Sequence, residues 1–250
     1  MSEKVIVVMP AYNAEATVEK TVRDIPPGTY DEIILVDDCS KDRTAEVARG
    51  LGLTVVQHQK NRGYGGNQKT CYDTALEHGA DYVVMIHPDY QYDSRLLPYV
   101  VGFLKTGICD VLLGSRIRTR AQAIGSGMPP IKYYSNRFLT IAENIIMGQN
   151  LAEWHSGYRA YNRKVLETIP YNRNSDDFVF DAQFLAQAVH FGFEIGDVPV
   201  PCRYMEEASS INLRRSMTYG LGCLRVAVRF WLHEHRLWKY RIMAPKQAGE

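Results

Sequence analysis

Four things are missing from this chain: paired cysteine motifs, a long apolar run, a marked excess of either charge, and a Gly-x-Gly-x-x-Gly turn. Each absence removes a class of protein. The five cysteines, Cys39, Cys71, Cys109, Cys202 and Cys223, are odd in number, widely spaced and include no Cys-x-x-Cys pair. Neither a disulfide framework nor a zinc site is expected, and a reducing compartment is favoured. No stretch approaches the roughly 20 apolar residues of a membrane span. Ser2, Glu3 and Lys4 lead into Val5 without the charged-then-apolar pattern of a signal segment. The expectation is a cytoplasmic protein, either free or peripheral at the inner face of the membrane. With a net charge of +1 the molecule as a whole has no electrostatic reason to seek nucleic acid, and none is expected as a partner. Finally, the first apolar run ends in Pro10-Ala-Tyr-Asn13, where a dinucleotide-binding domain needs glycines for backbone to approach a pyrophosphate. That argues against a nicotinamide or flavin enzyme.

What remains is 250 residues of ordinary globular composition, enough for one large domain and a sizeable core. Short apolar runs fall at Val5 to Met9, Ile33 to Val36, Thr54 to Gln57, Tyr82 to Ile86 and Val111 to Leu113. Between them lie helical patterns at Ala14 to Asp24, Thr44 to Gly50, Gly66 to His78 and Asp93 to Lys105. Such alternation predicts βαβ units around a mostly parallel sheet. After Gly114-Ser-Arg116, the stretch Arg118 to Pro130 is rich in Gly, Ser and basic residues and reads as a binding loop. Helices follow around Ile131 to Met147 and Asp181 to Phe191, then a strand near Ile195 to Val200 and a terminal helix from about Arg214 to Tyr240. The expected division is a catalytic layer over residues 1–212 and a C-terminal amphipathic helix and tail over 213–250.

The chemistry gathers where apolar runs stop. Val83-Val-Met-Ile86 ends in His87-Pro-Asp-Tyr-Gln-Tyr-Asp93, and Glu32-Ile-Ile-Leu-Val36 ends in Asp37-Asp38. Ligands of open α/β sheets collect at strand carboxyl ends. His87, Asp89 and Gln91 lie two apart in an extended segment, so they can converge on one divalent cation able to hold a diphosphate. Asp93, followed by Ser94, fits a cap on the next helix. Gly63-Tyr-Gly-Gly66 is either a turn and helix start or a ligand contact at Gly66.

Val8-Met-Pro-Ala-Tyr-Asn-Ala-Glu15, Leu35-Val-Asp-Asp-Cys-Ser40, the His87 to Gln91 cluster, Gly114-Ser-Arg116 and Ser156-Gly-Tyr-Arg159 occur in that order. Together they resemble family 2 glycosyltransferases of the GT-A fold, and most closely the dolichyl- or polyprenyl-phosphate sugar synthases. The resemblance implies a Rossmann-like, mostly parallel sheet flanked by helices, with a C-terminal helical extension. It implies an inverting transfer of a sugar from a UDP- or GDP-sugar, with Mg²⁺ or Mn²⁺ as cofactor. Pro10, Ala11, Tyr12, Glu15, Asp37 and Asp38 inherit the nucleoside-binding role, joined by His87, Pro88 and Arg159 around the donor. The usual metal motif is Asp-x-Asp followed by Gln, whereas this chain has His87-Pro-Asp-Tyr-Gln91. An imidazole in the first place makes the site softer and more tolerant of Mn²⁺. Alternatively His87 hydrogen-bonds a phosphate, Asp89 is the main ligand, and His155 is a late imidazole ligand.

Charge growing on the departing diphosphate is best met by fixed guanidiniums, and Arg116, Arg159 and Arg203 are the candidates, with Arg137 and Arg214 behind them. A hydroxyl acceptor needs a general base, for which Asp181 is the choice; an acceptor phosphate is already ionised, and Asp181 then only orients it. The acceptor stays open between a lipid phosphate and a soluble small molecule, as does a nucleotide-sugar-binding protein that has lost catalysis. A nucleotidyltransferase is disfavoured, for want of a Gly-rich basic loop after the first strand. Trp231 and Trp238 with Leu224 and Val228 form one stripe of the terminal helix, and Arg225, Arg229, His233 and Arg236 another. Such a helix lies at a membrane surface, or packs on the catalytic domain or a second copy in a homodimer.

Overall fold

The computed structural model describes residues 3–116, 119–125, 127–203 and 213–246, the side chains of 213–215 excepted. Seven strands and nine helices alternate along these residues: β1 Val5–Ala11, α1 Val18–Arg23, β2 Glu32–Asp37, α2 Thr44–Gly50, β3 Thr54–Gln57, α3 Gly63–Glu77, β4 Tyr82–Met85, α4 Leu97–Lys105 and β5 Val111–Ser115, followed by α5 Arg120–Gly125, α6 Pro130–Met147, β6 Arg159–Asn162, α7 Arg163–Thr168, α8 Phe180–His190, β7 Ile195–Pro199 and α9 Leu213–Glu234. One sheet holds all seven strands in the order β3-β2-β1-β4-β6-β5-β7. β3, β2, β1 and β4 run parallel, β5 and β7 run parallel, and β6 lies antiparallel between β4 and β5. This mostly parallel sheet, flanked by helices, is the GT-A arrangement.

Every residue of β1 is buried, as a strand covered on both faces requires. Its side chains alternate between two hydrophobic layers. Ile6 and Val8 join Tyr72, Phe180 and Phe184 on one face, whereas Val5, Val7 and Met9 join Val18, Leu97 and Val101 on the other. α9 lies on α6 and α8, and its Cys223, Val226, Ala227 and Phe230 enter the first layer, so the core runs on past residue 212.

Several boundaries differ from expectation, each for a local reason. The stretch read as a loop from Arg118 to Pro130 contains α5; Arg-Ala-Gln-Ala-Ile are adequate helix formers, and Ala123 is covered by Met128 and Tyr133. Residues 117, 118 and 126 lie outside the described residues. The first helix starts at Val18 rather than Ala14; in the segment before it, the N–H groups of Ala14 and Glu15 donate to the side chains of Thr44 and Asp42 and tie it to the start of α2. The terminal helix stops at Glu234, short of Tyr240. Arg236 adopts φ 60°, and the N–H groups of Leu237 and Trp238 turn back to the Leu232 carbonyl, closing the helix end.

Candidate active site at the carboxyl edge of the sheet

Ala11 pairs with Asp37, and Val8 with Met85, so β1 separates the tips of β2 and β4. Two strand spacings place those tips roughly 10 Å apart, a span of the order of a nucleoside diphosphate. Past each tip a non-glycine residue takes a left-handed backbone: Asn13 at φ 52°, Cys39 at 64° and Tyr90 at 58°. Such conformations cost free energy and persist only where neighbours hold them. The Asn13 N–H donates to Ser40 Oγ at 2.8 Å, and its side-chain oxygen accepts from the Lys41 N–H at 2.9 Å. The Tyr90 hydroxyl donates to Asp24 at 2.9 Å. From α3, the Asn67 amide donates to Ala11 O at 3.3 Å and Val36 O at 3.0 Å, tying the first two tips together.

The acidic pair at the second tip divides its work. Asp38 turns inward: its carboxylate accepts from His58 Nδ1 at 2.7 Å, the Arg62 N–H at 2.7 Å and the Gly63 N–H at 3.0 Å. It therefore anchors the segment that opens α3. Asp37 is also buried, but its contacts are looser, with the Ser40 N–H at 3.3 and 3.4 Å and the Gln57 amide at 3.1 Å. Glu15 holds Arg43 through both its guanidinium, at 2.7 and 2.9 Å, and its N–H, at 3.0 Å, and these bonds keep the carboxyl below its usual range. Pro10 and Ala11 are buried in β1, whereas Tyr12 stands in solvent just beyond the strand, 51% exposed.

At the third tip Pro88 is buried and His87 sits between the Pro10 carbonyl and the Tyr64 hydroxyl, 3.3 Å from Nε2, with the two rings stacked at 5.5 Å. Burial lowers the His87 proton affinity, the neighbouring Asp89 and Asp181 opposing it, which favours the neutral ring. Burial likewise raises Asp89. Oδ1 of Asp89 accepts from the Gln91 N–H at 3.1 Å. Gly157 presses against His87: a Cβ there would lie 2.6 Å from Cδ2 of the ring. Asp93 caps the turn beyond, accepting from the Arg95 N–H at 3.2 Å.

Beneath this tip lies a buried polar cluster. Asp181, at the start of α8, accepts from the Tyr64 hydroxyl at 2.8 Å and the Gln68 amide at 3.2 Å, and pairs with the Arg159 guanidinium at 3.2 Å. Both its oxygens are thus engaged. Arg159 is fully buried and also donates to the Ser156 carbonyl at 2.7 Å, so it works as an internal strut away from solvent. Gly66 belongs to the same assembly: the Gly65 and Gly66 N–H groups donate to Asp176 O at 2.8 and 3.3 Å, and a Cβ on Gly65 would strike Ser175 O and Phe180.

The remaining arginines are held by neighbours. Arg116 grips Glu153 through its N–H at 2.7 Å and its guanidinium at 2.8 Å, and reaches the His155 carbonyl at 2.8 Å. Arg203 lies over the Tyr90 ring at 4.6 Å, and its N–H donates to Gln91 O at 2.8 Å. Arg137 donates to the Ala152 carbonyl. The side chain of Arg214 lies outside the described residues. His155 points toward Glu143, 3.1 Å from Nε2, and toward the Tyr219 hydroxyl, 3.0 Å from Nδ1. With Cys223 these groups form a buried cluster between α6 and α9, which the His155 ring faces.

The sequence profile of glycosyl transferase family 2 matches residues 6–170, which spans every one of these strand tips. The chain belongs to that family. A dolichyl-phosphate hexose transferase of Haloferax volcanii is 30% identical over 83% of this chain and 85% of its own length. A UDP-N-acetylglucosamine–dolichyl-phosphate N-acetylglucosaminyltransferase of Methanococcus voltae is 26% identical over 82% and 88%. Among solved structures, glucosyl-3-phosphoglycerate synthase of Mycobacterium tuberculosis with uridine diphosphate superposes at a TM-score of 0.71 and 22% identity. That match covers 92% of this chain and 80% of the synthase. The protein is a glycosyltransferase of the hexosyl-transferring type.

A divalent cation suits the donor set of this glycosyltransferase. His87, Asp89 and Gln91 offer an imidazole, a carboxylate and a side-chain amide in succession at the third tip, and burial raises the Asp89 carboxyl in the direction that a bound cation would oppose. Tyr64, Gln68, Glu153 and Lys69 also shape the site and were not singled out from the sequence. Lys69 pairs with Asp176 at 2.7 Å and pins the segment against which the α3 glycines pack. The signal for Tyr64 was its place inside the Gly63 to Gly66 cluster; Glu153, isolated in a loop, carried none.

Proposed function

We propose that this enzyme moves a hexose, with inversion, from a UDP- or GDP-sugar to the phosphate of a polyprenyl-type lipid. The observation that carries the acceptor class is the state of Asp181. A hydroxyl acceptor needs a free base, but this carboxylate is neutralised by Arg159 and spends both oxygens on Tyr64, Gln68 and Arg159. A phosphate acceptor is ionised already and asks only to be positioned. The two relatives above carry dolichyl phosphate in their names, in keeping with that class.

Asp89, with His87 and Gln91, would hold the divalent ion, which supplies electrophilic stabilisation of the departing diphosphate. Tyr12 offers an exposed ring to the nucleobase, and Asp37 can exchange a loose internal contact for a base N–H, which suits uracil or guanine and rejects cytosine. Asp38, Glu15 and Asn67 hold the two loops that frame the nucleoside. Arg116 and Arg203 stand nearest the third tip as positive groups for the diphosphate; Arg116 lies close enough to favour the charged form of Asp89. Arg159 acts through Asp181. Tyr64 links the Asp181 cluster to His87, so acceptor side and metal side are held by one hydroxyl.

The test is product analysis by mass spectrometry after incubation with UDP- and GDP-hexoses, Mn²⁺ or Mg²⁺, and a prenyl phosphate or the matching prenyl alcohol. A glycosylated prenyl phosphate should form, and its formation should vanish in Asp89→Asn. Transfer to the alcohol, or to neither acceptor while the donor is hydrolysed, would overturn the acceptor assignment.

A further inference from the structure

The molecule carries two exposed apolar stripes for which the chemistry above has no use. On α6, Ile131, Tyr134, Phe138, Ile141 and Ile145 recur at intervals of three and four residues and are 52–76% exposed. The opposite face of the same helix buries Tyr133, Asn136, Thr140, Glu143 and Met147. On α9, Met217, Leu221, Val228 and Trp231 lie 41–67% exposed, on the side away from buried Cys223, Val226 and Phe230. The two helices pack together where Gly220 meets Leu139, so both stripes belong to one surface, extended by exposed Leu237 and Trp238 just beyond α9. Helices of a soluble protein expose single apolar residues routinely, but not two adjoining rows.

The chain segments that contain these helices are rich in cations. Residues 116–147 hold five Arg and Lys against one acid, Glu143, which is buried. Residues 213–241 hold seven against Glu234 alone. These 61 residues therefore carry a net charge of +10 within a chain of net charge +1, which leaves −9 on the rest. Overall neutrality conceals a strongly polarised molecule. An apolar row with aromatic residues, carried by basic segments of a chain whose remainder is net acidic, matches the interfacial zone of an anionic bilayer: rings at the headgroup boundary and cations toward lipid phosphate. A second copy of the same basic face would be repelled by it.

We propose that the outer faces of α6 and α9 seat this enzyme on an anionic membrane surface. The inference deepens the lipid-phosphate reading of the active site, but its evidence is the surface itself. α6 is tied to the active-site edge through Asn136, which donates to Glu153 at 3.0 Å, the carboxylate that holds Arg116, so a face of α6 seated on lipid would lie on an element that supports the site.

Vesicle flotation with the full chain tests it, using phosphatidylcholine vesicles with and without about a third phosphatidylglycerol. The protein should float with the anionic vesicles and be released by salt, and the exposed Trp231 and Trp238 should shift to the blue. Phe138→Glu combined with Ile145→Glu lies wholly on the exposed row; it should weaken flotation at least tenfold while leaving thermal stability and donor hydrolysis unchanged. A wild-type chain that stays in the supernatant, a double variant that floats as well as wild type, or a dimer in sedimentation that the variant dissolves, would each overturn the proposal. A short, water-soluble prenyl phosphate separates this from the acceptor reading. If the variant still glycosylates the soluble acceptor but fails on one embedded in vesicles, seating is the function lost. If wild type floats yet glycosylates neither, the acceptor reading falls and the membrane face stands.

Discussion

At the scale of single residues, this site depends on what each charge is already doing before a substrate arrives. Asp181 faces Arg159, so removing its charge leaves a buried guanidinium unpaired, which is costly and shifts the cluster. Asp181→Asn should therefore lower kcat/KM by about 10–100-fold while the pH profile of kcat keeps its shape; a general base would instead cost up to about 10⁴-fold and take its limb of the profile with it. Asp38 is comparable but structural. Asp38→Ala deletes an acceptor for His58, Arg62 and Gly63, each worth of the order of 1–3 kcal/mol when charged and buried. The expected result is a fall in Tm of several degrees in calorimetry, larger than for Asp37→Ala, which should chiefly weaken nucleotide binding. His155 adds a pH signature. Burial alone would lower its proton affinity; the Glu143 carboxylate at 3.1 Å, aided by Cys223, reverses that and raises it to about 10 from an ordinary 6.5. A raised folded value means that the proton favours the folded state, so this stabilisation is complete below pH 6.5 and is lost as the pH climbs through 10. The Tm deficit of His155→Gln should be largest near pH 6 and shrink from pH 7 to 10. A deficit that stays constant would show that the imidazole is not the charged partner of Glu143.

At the scale of elements, the site is built where three parallel strands end and one antiparallel strand passes beneath them. The parallel strands were legible because burial on both faces forces continuous apolar runs, and because those of β2 and β4 ended in Asp-Asp and His-Pro-Asp. β6 was not, since Arg159-Ala-Tyr-Asn162 carries an arginine and a polar end through the middle of the sheet. The charge of Arg159 is matched there by Asp181, a residue 22 places away in the chain that no local pattern links to it. The same limit hid Glu153, whose value lies in reaching Arg116 across 37 residues. The glycine cluster that opens α3 was visible, yet its reason is contact with Ser175 and Asp176 rather than with a phosphate. Gly157 shows how one strand entry positions another tip. A Cβ there would lie 2.6 Å from His87, with the Tyr92 hydroxyl also close, accepting from the Gly157 N–H at 2.8 Å. Gly157→Ala must displace the imidazole from its place between Pro10 and Tyr64. We expect at least a tenfold weaker dependence on the divalent ion, read as a raised apparent Kd for Mn²⁺, with only a small change in Tm; an unaltered metal affinity would mean that His87 is not a ligand.

At the scale of the whole molecule, sequence pattern and packing divide the chain differently. The pattern sets a catalytic layer apart from a terminal amphipathic helix, but α9 turns Cys223, Val226, Ala227 and Phe230 into the layer that also holds Phe180, Phe184 and Tyr72. Phe180 begins the helix that supplies Asp181, and Tyr72 donates to Gln68, which in turn contacts Asp181. The helix that offers its outer face to solvent therefore supports, with its inner face, the residues proposed to orient the acceptor. Burying side chains such as Phe230 and Val226 stabilises by about 1.5–3 kcal/mol each, so removing α9 forfeits several kcal/mol from a total that is usually 5–15. A chain ending at residue 212 should accordingly lose the single cooperative transition of the full protein in urea, measured by near-ultraviolet circular dichroism. It should lose with it the thermal shift that UDP or GDP gives in the presence of Mn²⁺. Were the shortened chain to unfold cooperatively with its nucleotide response intact, α9 would be an appendage, and its apolar outer face would answer to the membrane alone.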